Sequence, residues 1–274
     1  MAMLNMHIDT LFETVKNQIN QEQTSATLSV PDTWAQGRTL YGGISTSLIY
    51  TSMRQLVATD KQPRALNTSF IGPIEPDKPF TINISLLREG KNTSQLQGQI
   101  IQHDRVCVVV LASFGIERKS KVLIESQTKH LMEAPKKASF MPMIPKVTPR
   151  FMRHIQLAKK LGDWPFTGSK ISDIHGWMRL KEAPKELTVA HLIALIDVWP
   201  PTVLQTLRWP APASTMSWNL EFILPHAEFK PDNWFAYQAE TRHAAHGYAN
   251  TEANVWDSHG ALVAISRQTV TVFD

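Results

Sequence analysis

The sequence lacks most features that mark disulfide-stabilised, zinc-binding or membrane-spanning proteins. Cys107 is the single cysteine among 274 residues, which excludes an internal disulfide framework and a cysteine-rich zinc site. The longest uncharged apolar runs, residues 106–116 and 187–196, are too short to cross a bilayer. The first twenty residues have no basic n-region, and Asp9 and Glu13 interrupt their apolar positions. We therefore expect no signal peptide and a cytoplasmic location.

Two motifs of hydrolases are also missing. The sequence has no G-x-S-x-G, the nucleophile elbow of α/β-hydrolases, and no H-E-x-x-H, which places two zinc-binding histidines on a helix. His243 and His246 are three residues apart in a predicted strand or bend, where that spacing does not bring them to one face. Cys107 lies in an apolar strand pattern, which favours a buried packing thiol. We expect neither a metal nor another cofactor.

Neither sign of charge is in large excess over the whole chain. There are 28 lysines and arginines against 24 aspartates and glutamates, and a net charge of +4 does not indicate a nucleic-acid-binding protein. The chain is 43 % hydrophobic and 19 % charged, which is typical of a globular protein with a sizeable core. Its length predicts about two domains.

A basic, proline-containing segment separates two regular parts of the chain. Residues 119–170 hold eleven lysines and arginines but three acidic residues, a net charge of +8, so the rest of the chain sums to −4. The prolines of this segment are Pro135, Pro142, Pro145, Pro149 and Pro165. We interpret it as a linker with a short helix at residues 151–161, between an N-terminal domain (1–118) and a C-terminal domain (171–274).

The chain begins with apolar residues at helical spacing. This pattern predicts an amphipathic helix, and because its polar face is not basic, we expect it to pack on the protein rather than on a membrane. The apolar positions are Leu4, Ile8, Leu11, Phe12, Val15 and Ile19.

The first and third segments repeat one order of elements. Each has a predicted helix, at residues 44–58 and at 188–198, where Pro200 and Pro201 end it. Each helix precedes four long strands that are separated by turns. Two of these strands end in Phe-Ile-x-Pro, at positions 152 residues apart, and the final turns are about 155 residues apart. The spacing indicates an internal duplication of a helix and an antiparallel sheet, two units whose sheets can pair and bury their edges.

A family resemblance is spread over both halves. The first half contains GRTLYGG at 37–43, SFIGP at 69–73, LREGKNTSQLQGQIIQ at 87–102 and ASFG at 112–115; the second contains GWMRL at 176–180 and LIALIDVWPP at 192–201. This pattern resembles the acyl-CoA thioesterase II family of the thioesterase-like superfamily. The resemblance implies an α+β double hotdog, in which two tandem hotdog units, each an antiparallel sheet wrapped on a helix, pair into one continuous sheet.

The resemblance also implies an activity and a site. The family hydrolyses acyl-CoA thioesters with an Asp of the second-half helix, a Gln of the last strand, and a Thr or Ser of the strand after the helix. The matching residues here are Asp197, Gln268, and Thr215 or Ser217. Thr215 and Ser217 are two apart in a strand and so should point to one face, and spacing does not choose between them. Tyr41 is a departure, since relatives often have His or Phe before the Gly-Gly pair, and we expect it to affect the acyl pocket.

Hydrolysis without a covalent intermediate needs a base, a held water and an oxyanion donor. Asp197 ends an otherwise apolar helix, where burial and the negative helix terminus would both raise its pKa. Gln268 and a neutral hydroxyl can position water without competing for its proton. Gly42 and Gly43 precede a helix N-terminus, where free N–H groups could bind the oxyanion.

The duplication provides an internal comparison. The first-half helix at 44–58 contains no Asp or Glu, and the first-half position that corresponds to Gln268 is predicted to be about Ser113. We therefore predict one active site per chain, at the interface of the halves.

Three other functions compete with thioester hydrolysis, and the third, nucleic-acid binding by the +8 segment, is disfavoured because no basic β face or aromatic-interleaved motif accompanies it. A hotdog enoyl-CoA hydratase would need a D-x4-H pair, which is not found here. A non-catalytic acyl-CoA or fatty-acyl binding protein could keep the same fold without turnover. The basic linker could contact the phosphates of coenzyme A or be a solvated connector. The partners we expect are an acyl-CoA substrate and a further copy in a homo-oligomer, with no nucleic acid and no membrane.

Overall fold

One antiparallel sheet of eleven strands runs through both halves of the chain. The structure is a computed structural model that describes residues 6–139, 143–145 and 147–273. The first half comprises α1 (Ile8–Lys16), β1 (Ser25–Leu28), β2 (Ala35–Gln36), β3 (Thr39–Leu40), α2 (Gly42–Arg54), β4 (Gln62–Phe70), β5 (Phe80–Glu89), β6 (Thr93–Gln102) and β7 (Arg105–Gly115). The second half comprises β8 (Ile155–Leu161), β9 (Asp173–Leu180), α3 (Val189–Ile196), β10 (Ala213–Phe222), β11 (Phe235–Ala245), β12 (Tyr248–Trp256) and β13 (Leu262–Val272). Short 3₁₀ turns lie at Asp32–Trp34, Arg150–His154 and Thr202–Thr206.

The strand order shows the duplication. The sheet runs β1-β5-β6-β7-β4-β10-β13-β12-β11-β9-β8, so the order β5-β6-β7-β4 of the first half mirrors β11-β12-β13-β10 of the second. Strands β4 and β10 pair antiparallel at the centre, with Asn67 opposite Asn219. The Asn219 amide donates to the Asn67 side-chain oxygen at 2.6 Å. The predicted pairing of two units into one continuous sheet is therefore present, with the join at residues 152 apart in sequence.

Helices α2 and α3 lie side by side on one face of this sheet and form its core. Gly98 on β6 lets α2 approach closely, because a Cβ there would lie 2.4 Å from Ile49 and 2.8 Å from Ile84. The N-terminal amphipathic helix is present as α1. Its apolar positions at Ile8, Leu11, Phe12 and Val15 are buried, while Leu4 lies outside the described residues.

The segment predicted as a linker contributes to the sheet. Residues 155–161 form strand β8, which pairs antiparallel with β9, so the predicted helix at 151–161 is wrong. Alternation in Ile155-Gln156-Leu157 was the available signal for a strand, but the basic residues that follow obscure it. Pro142 lies outside the described residues. The domain boundaries at 118 and 170 stay a prediction.

Part of the same segment lies across the outer face of the second-half sheet. We call residues 128–132 the strap. Trp256 Nε1 donates to the Thr128 carbonyl at 3.1 Å, and Gln238 donates to the His130 carbonyl at 2.8 Å. The His130 ring contacts Trp177 and Trp256 edge-on. The strap thus covers an aromatic patch that would otherwise be exposed.

Candidate functional site

Asp197 stands directly after α3, at the point where the two halves meet. Pro200 and Pro201 cannot continue the helix, and Asp197 takes the C-cap position with φ −87° and ψ 4°. This conformation lies in the sparsely populated bridge region, where active-site residues are often found. The carboxylate accepts a hydrogen bond from the Gly43 N–H, at the start of α2. Asp197 therefore joins the end of one helix to the beginning of the other.

A chain of hydrogen bonds links the three predicted side chains. Gln268 Nε2 on β13 donates to Asp197 Oδ1 at 2.9 Å. Thr215 Oγ1 on the neighbouring strand β10 donates to Gln268 Oε1 at 3.1 Å. As whole residues, all three are intermediate in exposure. The structure thus brings together residues that are up to 71 positions apart in the sequence.

Ser217 does not join this group. A bulge in β10 places Thr215 opposite Val270 and Ser217 opposite Thr269, so Met216 is the extra residue. Thr215 consequently faces the helices, whereas Ser217 lies on the exposed outer face with Asn67 and Arg267, in a polar groove. The prediction that Thr215 and Ser217 share a face is wrong, because a bulge breaks the two-residue period of a strand.

The environment of Asp197 changes its acidity. Burial raises the pKa of Asp197 from 3.8 to about 7, while the hydrogen bonds from Gln268 and from the Gly43 N–H act in the opposite direction. Sequence reasoning gave the direction correctly but did not include the opposing contribution of the α2 N-terminus. The carboxyl group is therefore placed to exchange a proton near neutral pH.

Gly42 and Gly43 shape the site in different ways. A Cβ on Gly42 would lie 2.8 Å from Asp197 Oδ2, so glycine lets the carboxylate reach the helix backbone. A Cβ on Gly43 would lie 2.6 Å from the Tyr41 ring. Both glycines border Asp197, but the Gly43 N–H is already used by its carboxylate. The role of Gly42 and Gly43 as oxyanion donors stays a proposal.

Two tyrosines lie near Asp197, and of these the sequence pointed only to Tyr41, beside the Gly-Gly pair. Tyr41 is fully buried, donates to the Ala194 carbonyl of α3 at 2.6 Å and stacks on Phe151. Tyr237 on β11 is also buried and stacks on Trp199. Burial, and secondarily the Asp197 charge, raise the pKa of both hydroxyls, so both remain neutral. No local pattern indicated Tyr237, since its side chain comes near Trp199 and Asp197 only in the folded chain.

The first half has no side-chain amide at the position that corresponds to Gln268. Gln268 pairs with Trp218 on β10. Leu66 lies 152 residues before Trp218 and pairs with Ala112, so Ala112 and not Ser113 corresponds to Gln268. The sequence estimate was one residue off. A shift of one residue along a strand moves a side chain to the opposite face, so the difference matters. Neither Ala112 nor Ser113 has a side-chain amide.

The other candidate groups contribute no chemistry to this region. Cys107 is buried as predicted, and burial raises the pKa of its thiol. In the described ranges, no three histidine, cysteine or acidic side chains are arranged to hold a metal ion. No helix in the described part of the chain is both long and apolar enough to cross a membrane.

The duplicated helix-and-sheet architecture is a double hotdog, and comparison with known proteins supports this class. The model of the acyl-CoA thioesterase N-terminal domain matches residues 30–115, and the model of the acyl-CoA thioesterase C-terminal domain matches residues 132–272. The second match begins inside the segment predicted as a linker. The chain belongs to the acyl-CoA thioesterase II family and is a thioester hydrolase.

Individual relatives are distant in sequence but similar over most of their length. Acyl-CoA thioesterase 2 of Haemophilus influenzae is 21 % identical over 250 residues, which cover 84 % of this chain and 86 % of the relative. A hotdog-fold protein of unknown function from Alicyclobacillus acidocaldarius superposes with a TM-score of 0.81 at 22 % identity, covering 98 % and 99 % of the two chains. An acyl-CoA thioesterase II from Mycobacterium marinum gives a TM-score of 0.73 at 17 % identity, covering 96 % and 97 %. These two structures support the fold.

Proposed function

We propose that the protein hydrolyses acyl-CoA thioesters to a free acid and coenzyme A, at one site per chain. The observation that carries this proposal is the hydrogen-bonded series Thr215–Gln268–Asp197 beside the start of α2. It places a carboxyl group with a pKa of about 7 next to two neutral polar groups. Such a set can hold and activate a water molecule.

In the proposed mechanism Asp197 is the general base. Its carboxylate takes a proton from a water that the second N–H of Gln268 and the oxygen of Thr215 orient. The water oxygen attacks the thioester carbonyl carbon, and the carbonyl electron pair moves onto oxygen. The resulting oxyanion faces the N-terminal turn of α2, where we place the Gly42 N–H as donor. When the carbonyl reforms, the C–S bond breaks and Asp197 returns its proton to the thiolate of coenzyme A.

The first half is not proposed to react. Its helix α2 lacks a carboxylate, and Ala112 stands where the second half has Gln268. A pseudo-equivalent site there would have neither the base nor the amide. Both halves therefore contribute to the one proposed site: the second half provides the polar side chains, and the first half provides the N-terminus of α2.

The test is free-thiol release from acyl-CoAs of short, long and aromatic acyl groups, with wild type and Asp197→Asn side by side. Asparagine keeps the shape and removes the base, so we expect kcat to fall at least about a hundredfold, which is the range of a lost general base. Full activity in Asp197→Asn would show that the base lies elsewhere. Binding of acyl-CoA without any turnover by wild type would favour the non-catalytic binding protein instead.

A further inference from the structure

An exposed tryptophan and an exposed arginine stand side by side in the connection between α3 and β10. Trp209 is 81 % exposed, and the neighbouring Arg208 is also exposed. A fully solvated indole is unusual, because tryptophan is highly buried on average. This pair is therefore a candidate binding surface.

The connection that carries the pair begins and ends in the candidate site. It starts immediately after Asp197 and reaches Thr215 at the other end. Thr215 is six positions after Trp209, so the two Cα atoms are within about 20 Å of each other even if the chain is fully extended. An extended ligand that binds at Trp209 could therefore reach the reacting groups with its other end.

The exposure of Trp209 does not come from a loose loop. The backbone N–H groups of Phe166, Gly168 and Ser169 donate to the carbonyls of Leu204, Leu207 and Gln205, at 2.8 to 2.9 Å. The Phe273 N–H donates to the Pro212 carbonyl at 2.9 Å on the other side of the pair. Gly168, with φ of +69°, leaves room for Arg208, because a Cβ there would lie 2.9 Å from Arg208 Cγ. The fold thus holds the pair in place.

A second cation lies in the segment that is hydrogen-bonded to this loop. The C-terminal end of the segment 119–170 is hydrogen-bonded to this loop through Phe166, Gly168 and Ser169, and the exposed Lys170 follows directly in the sequence. Within the described residues, neither Arg208 nor Lys170 forms an ion pair. The acidic group nearby, Asp163, accepts a hydrogen bond from Ser169. Arg208 and Lys170, neither of them in an ion pair among the described residues, thus lie on two segments that are hydrogen-bonded to each other, and Arg208 directly precedes Trp209.

These groups match the nucleotide end of coenzyme A. An indole face stacks on a purine ring, and a guanidinium binds phosphate oxygens through paired N–H groups. Coenzyme A carries adenine and phosphates at one end and the thiol at the other, with the pantetheine arm between them. We propose that Trp209, Arg208 and Lys170 form a subsite for the adenine nucleotide of the acyl-CoA substrate. The inference rests on the proposed function and favours coenzyme A over an acyl-carrier protein, whose phosphopantetheine arm has no adenine.

The experiment compares two thioesters of the same acyl group, one on coenzyme A and one on pantetheine. Wild type, Trp209→Ala, Arg208→Gln and the control Leu87→Ala are measured, Leu87 being an exposed side chain of β5 in the first half. We expect Trp209→Ala to raise KM for acyl-CoA about tenfold relative to KM for acyl-pantetheine, as loss of one stacking contact should. Adenosine 3′,5′-bisphosphate should compete with acyl-CoA in wild type and bind less tightly in both variants, but not in Leu87→Ala.

The possible outcomes separate this subsite from the proposed function. Equal KM values for both thioesters in wild type, with no selective change in Trp209→Ala, would overturn the subsite and leave the thioesterase intact. An equal loss on both thioesters would point to a structural effect and also overturn it. No thiol release from either thioester by wild type would contradict the proposed function itself, while bisphosphate binding that Trp209→Ala weakens would still support a nucleotide subsite.

Discussion

Asp197 lies between the ends of two helices, and these ends act on its charge in opposite directions. The C-terminus of α3 and burial favour the neutral acid, whereas the Gly43 N–H and the Gln268 amide favour the carboxylate. Their balance leaves the pKa at about 7. An exposed aspartate would be a far weaker base, and a buried one without donors would stay protonated at neutral pH.

The pKa of Asp197 predicts how activity depends on pH. The base must be ionised, so kcat/KM should rise about tenfold per pH unit below pH 7 and level off above it. Tyr41 and Tyr237 face the carboxyl group but stay neutral over this range, since their pKa values are raised. A pH–rate profile on one acyl-CoA checks this. A profile that stays flat from pH 5 to about 9 would contradict the role of Asp197.

The same pKa affects stability with a definite sign. The folded value of about 7 exceeds the ordinary value of 3.8, so the native state binds an extra proton between these pH values. The contribution of Asp197 to the free energy of unfolding is therefore complete below about pH 4 and is lost as pH rises through 7. Asp197→Asn should remove this part of the pH dependence, which melting curves across the range would show.

The choice between the two hydroxyl residues gives a paired prediction. Thr215→Val removes the hydroxyl that donates to Gln268 and should lower kcat about tenfold, the effect of one positioned hydrogen bond. Ser217→Ala is the matched control on the outer face and should leave kcat within about twofold, because surface substitutions of this kind have small effects. The reverse result, with Ser217→Ala the more damaging variant, would mean that the bulge assigns the faces wrongly.

At the scale of elements, the position of helix α2 depends on two glycines, where any larger residue would collide with its neighbours. Gly98 allows the helix to rest on β6, and Gly42 allows Asp197 to approach its first turn. The bulge at Met216 has a comparable effect on β10, since it turns Thr215 toward the helices. Local departures from regular geometry thus bring regular elements into the arrangement that the site needs.

Gly42→Ala should damage activity more than stability. Its Cβ would lie 2.8 Å from Asp197 Oδ2 and 3.1 Å from the Phe70 ring, so the carboxylate must shift. A displacement of this kind should reduce kcat about a hundredfold, whereas alanine is itself a better helix former than glycine. Gly72→Ala is the control, because its nearest neighbour would be the Val106 carbonyl at 3.8 Å. Kinetics and thermal melting of both variants are the measurements. Normal kinetics in Gly42→Ala would show that the carboxylate can move without cost.

On the scale of the whole molecule, contacts between the halves are made in several places. The β4–β10 pair joins the sheets, and Tyr41 bonds α2 to α3. Helix α1 adds a third link. The Thr188 N–H donates to His191 Nδ1, which leaves the proton on Nε2 to donate to Asp9 of α1 at 2.9 Å. The first-half helix α1 is thus attached directly to the start of α3.

These links predict that the two halves unfold together. Separating them would expose the backbone edges of β4 and β10 and the buried faces of α2 and α3, so neither half should persist alone. Far-ultraviolet circular dichroism and tryptophan fluorescence should report coincident transitions, with equal calorimetric and van't Hoff enthalpies. Two resolved transitions would show that the halves are independent domains.

Much of this architecture could be read from the sequence alone. The duplication, the long strands, the N-terminal helix and the position of Asp197 before two prolines depend on periodicity and on helix-ending residues. These signals are local, since each arises from neighbours within a few positions. The candidate Gln268 came from the family resemblance, because a glutamine in a strand carries no local sign of a role.

Only the tertiary structure decided which side chains meet. Strand β8 was not recognised in the sequence, because only its pairing with β9 identifies it as a strand. The residue that corresponds to Gln268 could be found only from the register of β7 against β4. The bulge that selects Thr215 over Ser217 exists in the pairing of β10 with β13. The hydrogen bond from the Gly43 N–H to Asp197 likewise forms only when α2 and α3 come together in the folded chain. Such contacts depend on hydrogen bonding between distant segments, and a shift of one residue reverses the face that a side chain occupies.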